Sequence, residues 1–262
     1  MLRRILAIAG LTLKESARKR VSAGMIFCSV LMTLALGLVA RSMQANEGSD
    51  IGLAAAVFTL LRVVAGFTWV LAIFISVTAI PPEFERRTTY TLFAKPVERY
   101  EFVFGKFLGC FLLLAGNLAV IAAIVWLMLG REDPKLTMDM LRNLGAFCVS
   151  YTALIALAIS FTLVAPMPIA ALLSLGVYFL ASVYGYGQQV AETARLHPFW
   201  RALGALVFHL GRYATPRVNW LNTDRPFYQI TGHTQPEAIL YVLAYSMAVL
   251  ILGAVVFSRR EL

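Results

Sequence analysis

Residues 81–106 read PPEFERRTTYTLFAKPVERYEFVFGK, the one long charged and polar stretch lying between two uninterrupted apolar runs. Before it, residues 51–80 carry a single charge, Arg62; after it, residues 107–129 carry none. Crossing about 30 Å of hydrocarbon takes roughly 20 residues at about 1.5 Å each, so both runs read as membrane helices. The stretch between them is a short membrane-flanking loop, mixed in charge and rich in aromatics. Pro81 and Pro82 open it, and Glu83 and Glu85 suit the first turn of a short helix. Thr88, Thr89, Tyr90, Thr91, Leu92 and Phe93 then mix hydroxyls with apolar anchors. Lys95-Pro96-Val97 breaks that helix, and residues 99–106 lead into the next span as an amphipathic approach. A loop facing only water has no need of Leu92, Phe93, Tyr100, Phe102 and Phe104 so close together. The segment reads as one that docks on a soluble partner and lies along the membrane.

The rest of the chain agrees with a membrane setting. It has 262 residues, 60% of them hydrophobic and only 14% charged, and a mean hydropathy of +0.75. Soluble domains carry about 25% charged residues. The expected class is therefore all-α and polytopic, one compact helical bundle with little room for a soluble catalytic domain. The formal charge of +9 is read as Lys and Arg beside anionic lipid, with no nucleic-acid partner. Cys28, Cys110 and Cys148 each sit in a different apolar span without metal-ligand spacing, and read as small buried hydrophobes.

Six spans are expected, at 24–40, 53–80, 107–129, 144–164, 169–186 and 239–257. The fourth and fifth are parted only by Ala165-Pro166-Met167-Pro168, which cannot continue a helix and predicts a tight hairpin. Residues 2–20 are amphipathic, with Leu2, Ile5, Leu6, Ala9, Leu13 and Ala17 on one face and Arg3, Arg4, Lys14, Arg18 and Lys19 on the other. A signal peptide is the alternative, but the apolar stretch is short and leads to no small-residue cleavage site, so an in-plane interfacial helix is favoured. Basic residues are densest at 2–20, which holds six, and at 81–106, which holds five. That density puts both segments and both termini on the cytoplasmic side. Residues 187–238 then form an extracytoplasmic loop, in which 199–213 is again amphipathic.

Motifs for chemistry are missing. There is no phosphate-cradling glycine loop, no H-E-x-x-H, no G-x-S-x-G and no intramembrane acid pair. His197, His209 and His233 share the outer loop without ligand spacing. No Asp or Glu lies in the middle of a span, which argues against an ion-coupled carrier. Arg62 is placed near the outer interface, where it reaches headgroups or contacts a substrate. Asn117 is read first as an interhelical hydrogen bonder and second as a ligand for substrate or lipid.

At 81–106 the chain also resembles a known family. Glu85-Arg86-Arg87-Thr88, Leu92, Ala94-Lys95-Pro96-Val97, Arg99 and Gly105-Lys106 are similar to the cytoplasmic coupling segment of ABC-2-type transporter permeases. The likeness is closest to the branch named for multi-copper-enzyme maturation, which includes the nitrous-oxide-reductase maturation permease. Thr12-Leu13-Lys14-Glu15 with Arg18-Lys19-Arg20 resembles that family's N-terminal elbow helix, and Phe257-Ser258-Arg259-Arg260-Glu261-Leu262 its C-terminus. The resemblance implies a single ABC-2-type transmembrane domain over 1–262, with 2–20 as elbow helix and 81–106 as coupling segment. It implies a bacterial inner-membrane permease that is not itself an enzyme and holds no cofactor. ATP and Mg would be bound by a dimer of separate ABC ATPase subunits, and a second permease copy or a related permease would complete the channel. A periplasmic accessory protein is a further partner the resemblance admits. Glu83, Phe84, Glu85, Arg86, Arg87, Thr88, Thr89, Tyr90 and Leu92 would form the ATPase-docking surface, with Lys95 and Pro96 as its stop. The rivals are a non-transporting anchor or regulator of an ATPase complex, and an integral membrane transferase, for which no convergent polar constellation is seen.

Overall fold

The computed structural model describes residues 2–47, 50–80, 99–129, 134–179 and 235–258, and every regular element among them is a helix. In chain order these are α1 (Leu2–Arg18), α2 (Arg20–Glu47), α3 (Asp50–Thr78) and α4 (Arg99–Leu129), then α5 (Pro134–Val164), α6 (Met167–Phe179) and α7 (Gln235–Ser258). Among the described residues, four helices are long and apolar enough to cross a membrane, through Ser22–Val39, Tyr100–Leu127, Leu144–Val164 and Ile239–Ser258. Gly66–Thr78, within α3, and Met167–Phe179 are shorter apolar stretches. Residues 180–186, the end of the fifth expected span, lie outside the described residues. The chain is an all-α, polytopic membrane protein.

At the centre stands α5. Residues 150–159 are buried on every side, as befits a helix apolar all round. Ala153, Ala156 and Ala158 keep it thin enough for α3, α4 and α7 to close around it. Lipid is as apolar as leucine, so helices in a membrane associate through close packing and interhelical hydrogen bonds. Both are present on the α5–α7 seam. Thr152 and Ser246 hydroxyls lie 3.2 Å apart, and the Ser160 hydroxyl donates to the Val249 carbonyl at 3.1 Å. Gly253 lies against Ser160, where a β-carbon would come within 2.7 Å of its Oγ. Outward-facing side chains such as Leu127, Leu172, Leu240 and Leu252 are apolar and exposed, as lipid contact requires.

The α5–α6 break falls at Ala165, between the last α5 hydrogen bond (Ala165 N–H to Phe161 O, 2.8 Å) and the first of α6 (Ala170 N–H to Pro166 O, 3.0 Å). Pro166 and Pro168 have no N–H to extend α5, and both fit the start of a helix, where N–H groups lack partners anyway. The returning helix packs Ala171 and Tyr178 on the core that contains Tyr151, and Tyr178 stacks on Trp69 of α3 at 4.5 Å.

The tightest junction joins α1 to α4. The partners step together by four residues on each helix: Arg4 with Glu101, Ile8 with Gly105, Thr12 with Gly109. The two segments therefore run side by side in the same direction. Gly105 and Gly109 form a G-x-x-x-G notch that admits the other helix's backbone. A β-carbon on Gly105 would lie 2.6 Å from Ile8 Cγ2, and one on Gly109 would lie 2.6 Å from Thr12 Cβ and 2.9 Å from the Ala9 carbonyl oxygen. None of these atoms is the free end of a flexible chain. On α4, Gly116 has nothing within 4 Å of its missing β-carbon. Gly109→Ala is expected to lower stability by about 1–3 kcal/mol through overpacking, while Gly116→Ala is neutral or gains from helix propensity. Thermal unfolding of both variants in one detergent checks this, and equal midpoints would remove the notch from the account.

Candidate functional site

Four chain segments meet at one end of the bundle: α1, the end of α3, the beginning of α4 and the end of α7. Each arrives there for a local reason. The α3 helix stops at Thr78, three residues before Pro81-Pro82, which cannot extend it. A helix end leaves carbonyl oxygens without partners and a partial negative charge. Lys19, at the bend between α1 and α2, supplies both needs: its Nζ donates to the Thr78 carbonyl at 2.6 Å. The α4 helix starts at Arg99, three residues after Pro96, and carries Glu101 in its first turn, where the helix dipole favours an acid.

Two charges of α4 are buried and answered from α1. Glu101, 3% exposed, lies 3.7 Å from the Arg4 guanidinium, which is 53% exposed. Lys106, 1% exposed, lies 3.8 Å from Glu15, which is 39% exposed. The Lys106 Nζ also sits 5.7 Å above the Phe102 ring, a cation–π distance. Phe102 in turn stacks on Phe257 at 6.5 Å, which brings in α7. Burying a charge is costly unless it is paired, so these contacts specify where α1 sits as well as holding it there.

Residues 80 and 99 are the two points from which 81–98 leaves the described structure, and the helix turns beside them are fastened to α1 and to the bend that follows it. Lys19 holds the α3 side, while Glu15, Arg4 and the glycine notch hold the α4 side. The expected docking residues, Glu83, Phe84, Glu85, Arg86, Arg87, Thr88, Thr89, Tyr90, Leu92, Lys95 and Pro96, lie outside the described residues. Arg62 is on α3, sixteen residues before its end at Thr78. Asn117 is buried half-way along α4, and its Oδ1 is 3.0 Å from the Ser29 hydroxyl of α2. That hydroxyl has one proton and a second acceptor, the Ile26 carbonyl at 2.7 Å. Among the described residues the Asn117 Nδ2 has no hydrogen-bond partner.

Several sequence readings change here. Tyr100, Phe102 and Phe104 were read as part of a segment that docks on a soluble partner and lies along the membrane. Phe102 is core, and Tyr100 and Phe104 pack against that core from its edge. Lys19 was assigned to the polar face of the first helix, yet it is half-buried with its ammonium on α3. Lys106 looked like an ordinary loop cation and is among the most buried side chains of the bundle. The sequence signal for this junction is Gly105-Lys106-Phe107-Leu108-Gly109, a small-x-x-x-small step at the start of an apolar run.

A family model described as ABC-2 family transporter protein matches residues 6–262. The chain belongs to the ABC-2 transporter family. A search of curated proteins finds no match. Family and fold together make this ABC-2 protein a multi-pass membrane subunit, a permease component of an ABC transporter whose general partner is an ABC ATPase.

The Glu15–Lys106 pair is open to a double-mutant cycle. Glu15→Gln is expected to cost more in the parent than in a Lys106→Met background. The coupling should be about 0.5–1 kcal/mol, reduced by the water that reaches Glu15. Unfolding of the four proteins in detergent measures it; a coupling of zero would mean the two groups share space without interacting.

Proposed function

We propose that this ABC-2 permease couples ATP hydrolysis by a separate ATPase dimer to the movement of a substrate across or out of the membrane, and that 81–106 is its coupling segment, with 81–98 as the docking part and 99–106 as the start of α4. One observation carries the reading: the helices on either side of 81–98 are fastened to α1 and the bend directly after it, at Thr78 through Lys19 and at Lys106 through Glu15. A segment hinged independently at its two ends would swivel when pushed and absorb the displacement. Flanked by helices tied to α1 and its bend, it passes a displacement into α3 and α4 together, and through the Lys19 bend into α2. ATP and Mg belong to the partner, this chain holding no cofactor, and a second permease copy or a related one completes the pathway. The similarity of 85–106 to the multi-copper-enzyme-maturation branch supports the same arrangement.

In this reading Glu83, Phe84, Glu85, Arg86, Arg87, Thr88, Thr89, Tyr90 and Leu92 meet the ATPase, and Lys95-Pro96 ends the docking helix. Close charge pairs across an interface are worth several kcal/mol when one partner is removed. Reversing Glu85, Arg86 and Arg87 together is expected to impair ATPase association, or to uncouple hydrolysis from transport, while the membrane fold survives. The comparison is a charge-matched reversal of Arg131, Glu132 and Lys135. Co-purification, ATP turnover and transport are measured for each in proteoliposomes. Parent-like behaviour of both variants, or uncoupling by the second alone, would exclude 81–106 as the coupling element.

The same reading places both termini in the cytoplasm of a bacterial cell and 187–238 outside its inner membrane, on the density of basic residues at 2–20 and 81–106. A single cysteine beside His233, in a cysteine-free background, is expected to react with an impermeant maleimide from outside only. Labelling from the cytoplasmic side alone would invert the topology.

A further inference from the structure

The three sides of α1 differ in chemistry. One side, with Ala9, Thr12 and Ser16 at its centre, is buried against the protein. The charges that turn towards the protein are engaged: Arg4 with Glu101, Glu15 with Lys106, and Lys19, just beyond the helix, with Thr78. The opposite side carries Arg3, Lys14 and Arg18, all exposed. At 100° per residue these three fall within an arc of about 60°. Leu6 and Leu11, 51% and 55% exposed, border that arc on its two edges. Among the described residues none of the three cations has an ion-pair partner, and the only acid of α1, Glu15, faces away towards Lys106.

This outer side is purely cationic and apolar, and its height in the molecule is marked. Arg4, Ile8 and Thr12 lie beside Glu101, Gly105 and Gly109, and the last charge of α4 is Lys106. Further along, Glu15 returns to Lys106 and Lys19 reaches the end of α3 at Thr78, so both ends of α1 are tied to the charged end of α4 and to the end of α3. A side that met water alone would not hold two leucines more than half exposed between cations. A side that met hydrocarbon alone would not hold three exposed cations. The headgroup boundary of a bilayer accepts both, with the long Arg and Lys stems lying along apolar surface and their charges at phosphate.

We infer that Arg3, Lys14 and Arg18, with Leu6 and Leu11, form a binding surface for anionic phospholipid. The lipid phosphates take the cations and the upper acyl chains take the leucines. The same helix is seated in the Gly105–Gly109 notch and bonded to the end of α3. Lipid held on its outer side thus fixes the height of both attachment points of 81–98.

The full chain, without any ATPase, is reconstituted in neutral phosphatidylcholine containing a small fraction of spin-labelled phosphatidylglycerol or spin-labelled phosphatidylcholine. The motionally restricted fraction of each label is then measured. Each cation near an anionic surface is worth on the order of a fivefold change in partitioning. The parent is expected to favour the anionic label about threefold or more, less at high salt. The variant Arg3→Gln, Lys14→Gln, Arg18→Gln should lose that preference. Arg3→Lys, Arg18→Lys should keep it, and so should the charge-matched Arg131→Gln, Lys135→Gln, Arg142→Gln. All substitutions replace side chains outside the α1–α4 notch, and an unchanged unfolding midpoint identifies them as folded. A parent without preference, or an equal loss in both triple variants, overturns the inference. So does a triple α1 variant that keeps its lipid preference but no longer co-purifies with the ATPase, which would assign this side to an acidic protein surface. The lipid measurement needs no ATPase, so its failure and a failure of the coupling reading are told apart.

Discussion

Between Ile8 and Gly105 there is no room for a methyl group, and the arrangement of this end of the molecule follows from that closeness. Only glycine allows the α1 backbone to reach the Gly105 and Gly109 positions. Only at that distance do Arg4 and Glu15 reach the buried Glu101 and Lys106. The buried charges in turn make the seat specific, since α1 shifted by one turn would leave them without these partners in a medium of low dielectric. Lys19 depends on the same seat, because the bend that follows α1 sets where its ammonium meets the end of α3. Steric fit comes first here, and electrostatics selects one register of that fit.

Polar groups deeper in the bundle follow a different rule. Thr68, Ser76, Thr78 and Ser174 bond back to carbonyls of their own helices. Their side chains are satisfied within their own helices. Ser160, Thr152 and Ser29 also bond back within their helices, and share those hydroxyls at longer distance with Val249 O and Ser246 Oγ of α7 and Asn117 Oδ1 of α4. Interhelical bonds of this kind average about 0.6 kcal/mol in membranes, enough to set a preferred packing and small enough to be exchanged for another. The α5–α7 seam has two such bonds beside the Gly253 contact, while α2 is joined to α4 in mid-span by one serine and an asparagine. That difference makes the α2–α4 contact the softer of the two.

The all-α membrane class was legible because hydrocarbon imposes long apolar runs that no other setting requires. The α5–α6 break was legible because Pro166 and Pro168 act locally. Helix lengths were less so. The sequence reading started the third span at 107, whereas α4 begins at Arg99 and its apolar span at Tyr100; the fourth apolar span does begin at Leu144, on a helix that starts earlier, at Pro134. In both places charged residues (Arg99, Glu101 and Lys106; Lys135, Asp139 and Arg142) masked a helix that continues past the apolar stretch. Around Lys106 the masking has a physical cause: its charge is tolerated through Glu15 and Phe102. A pairing between residues so far apart in sequence leaves no periodicity in either. The same distance hid the use of Phe102, whose partner Phe257 is near the other end of the chain. The resemblance to ABC-2 permeases was carried by short motifs at both termini and in 81–106, the parts least governed by hydrophobicity.

The register of α1 on α4 also has a consequence for biogenesis. Ile8 leaves the ribosome long before Gly105 exists; at roughly 5–20 residues per second, the interval is on the order of 5–20 seconds. A helix of 17 residues is marginal in water on its own, and throughout that time Ile5, Ile8 and Ala9 have no protein surface to pack against. A bilayer surface suits the leucines and cations of the outer side during that interval. Docking into the glycine notch then waits for α4 to be inserted. The order in which the helices are made and the order in which they pack are therefore different: α1 is made well before α4, and its seat on Gly105 and Gly109 exists only afterwards.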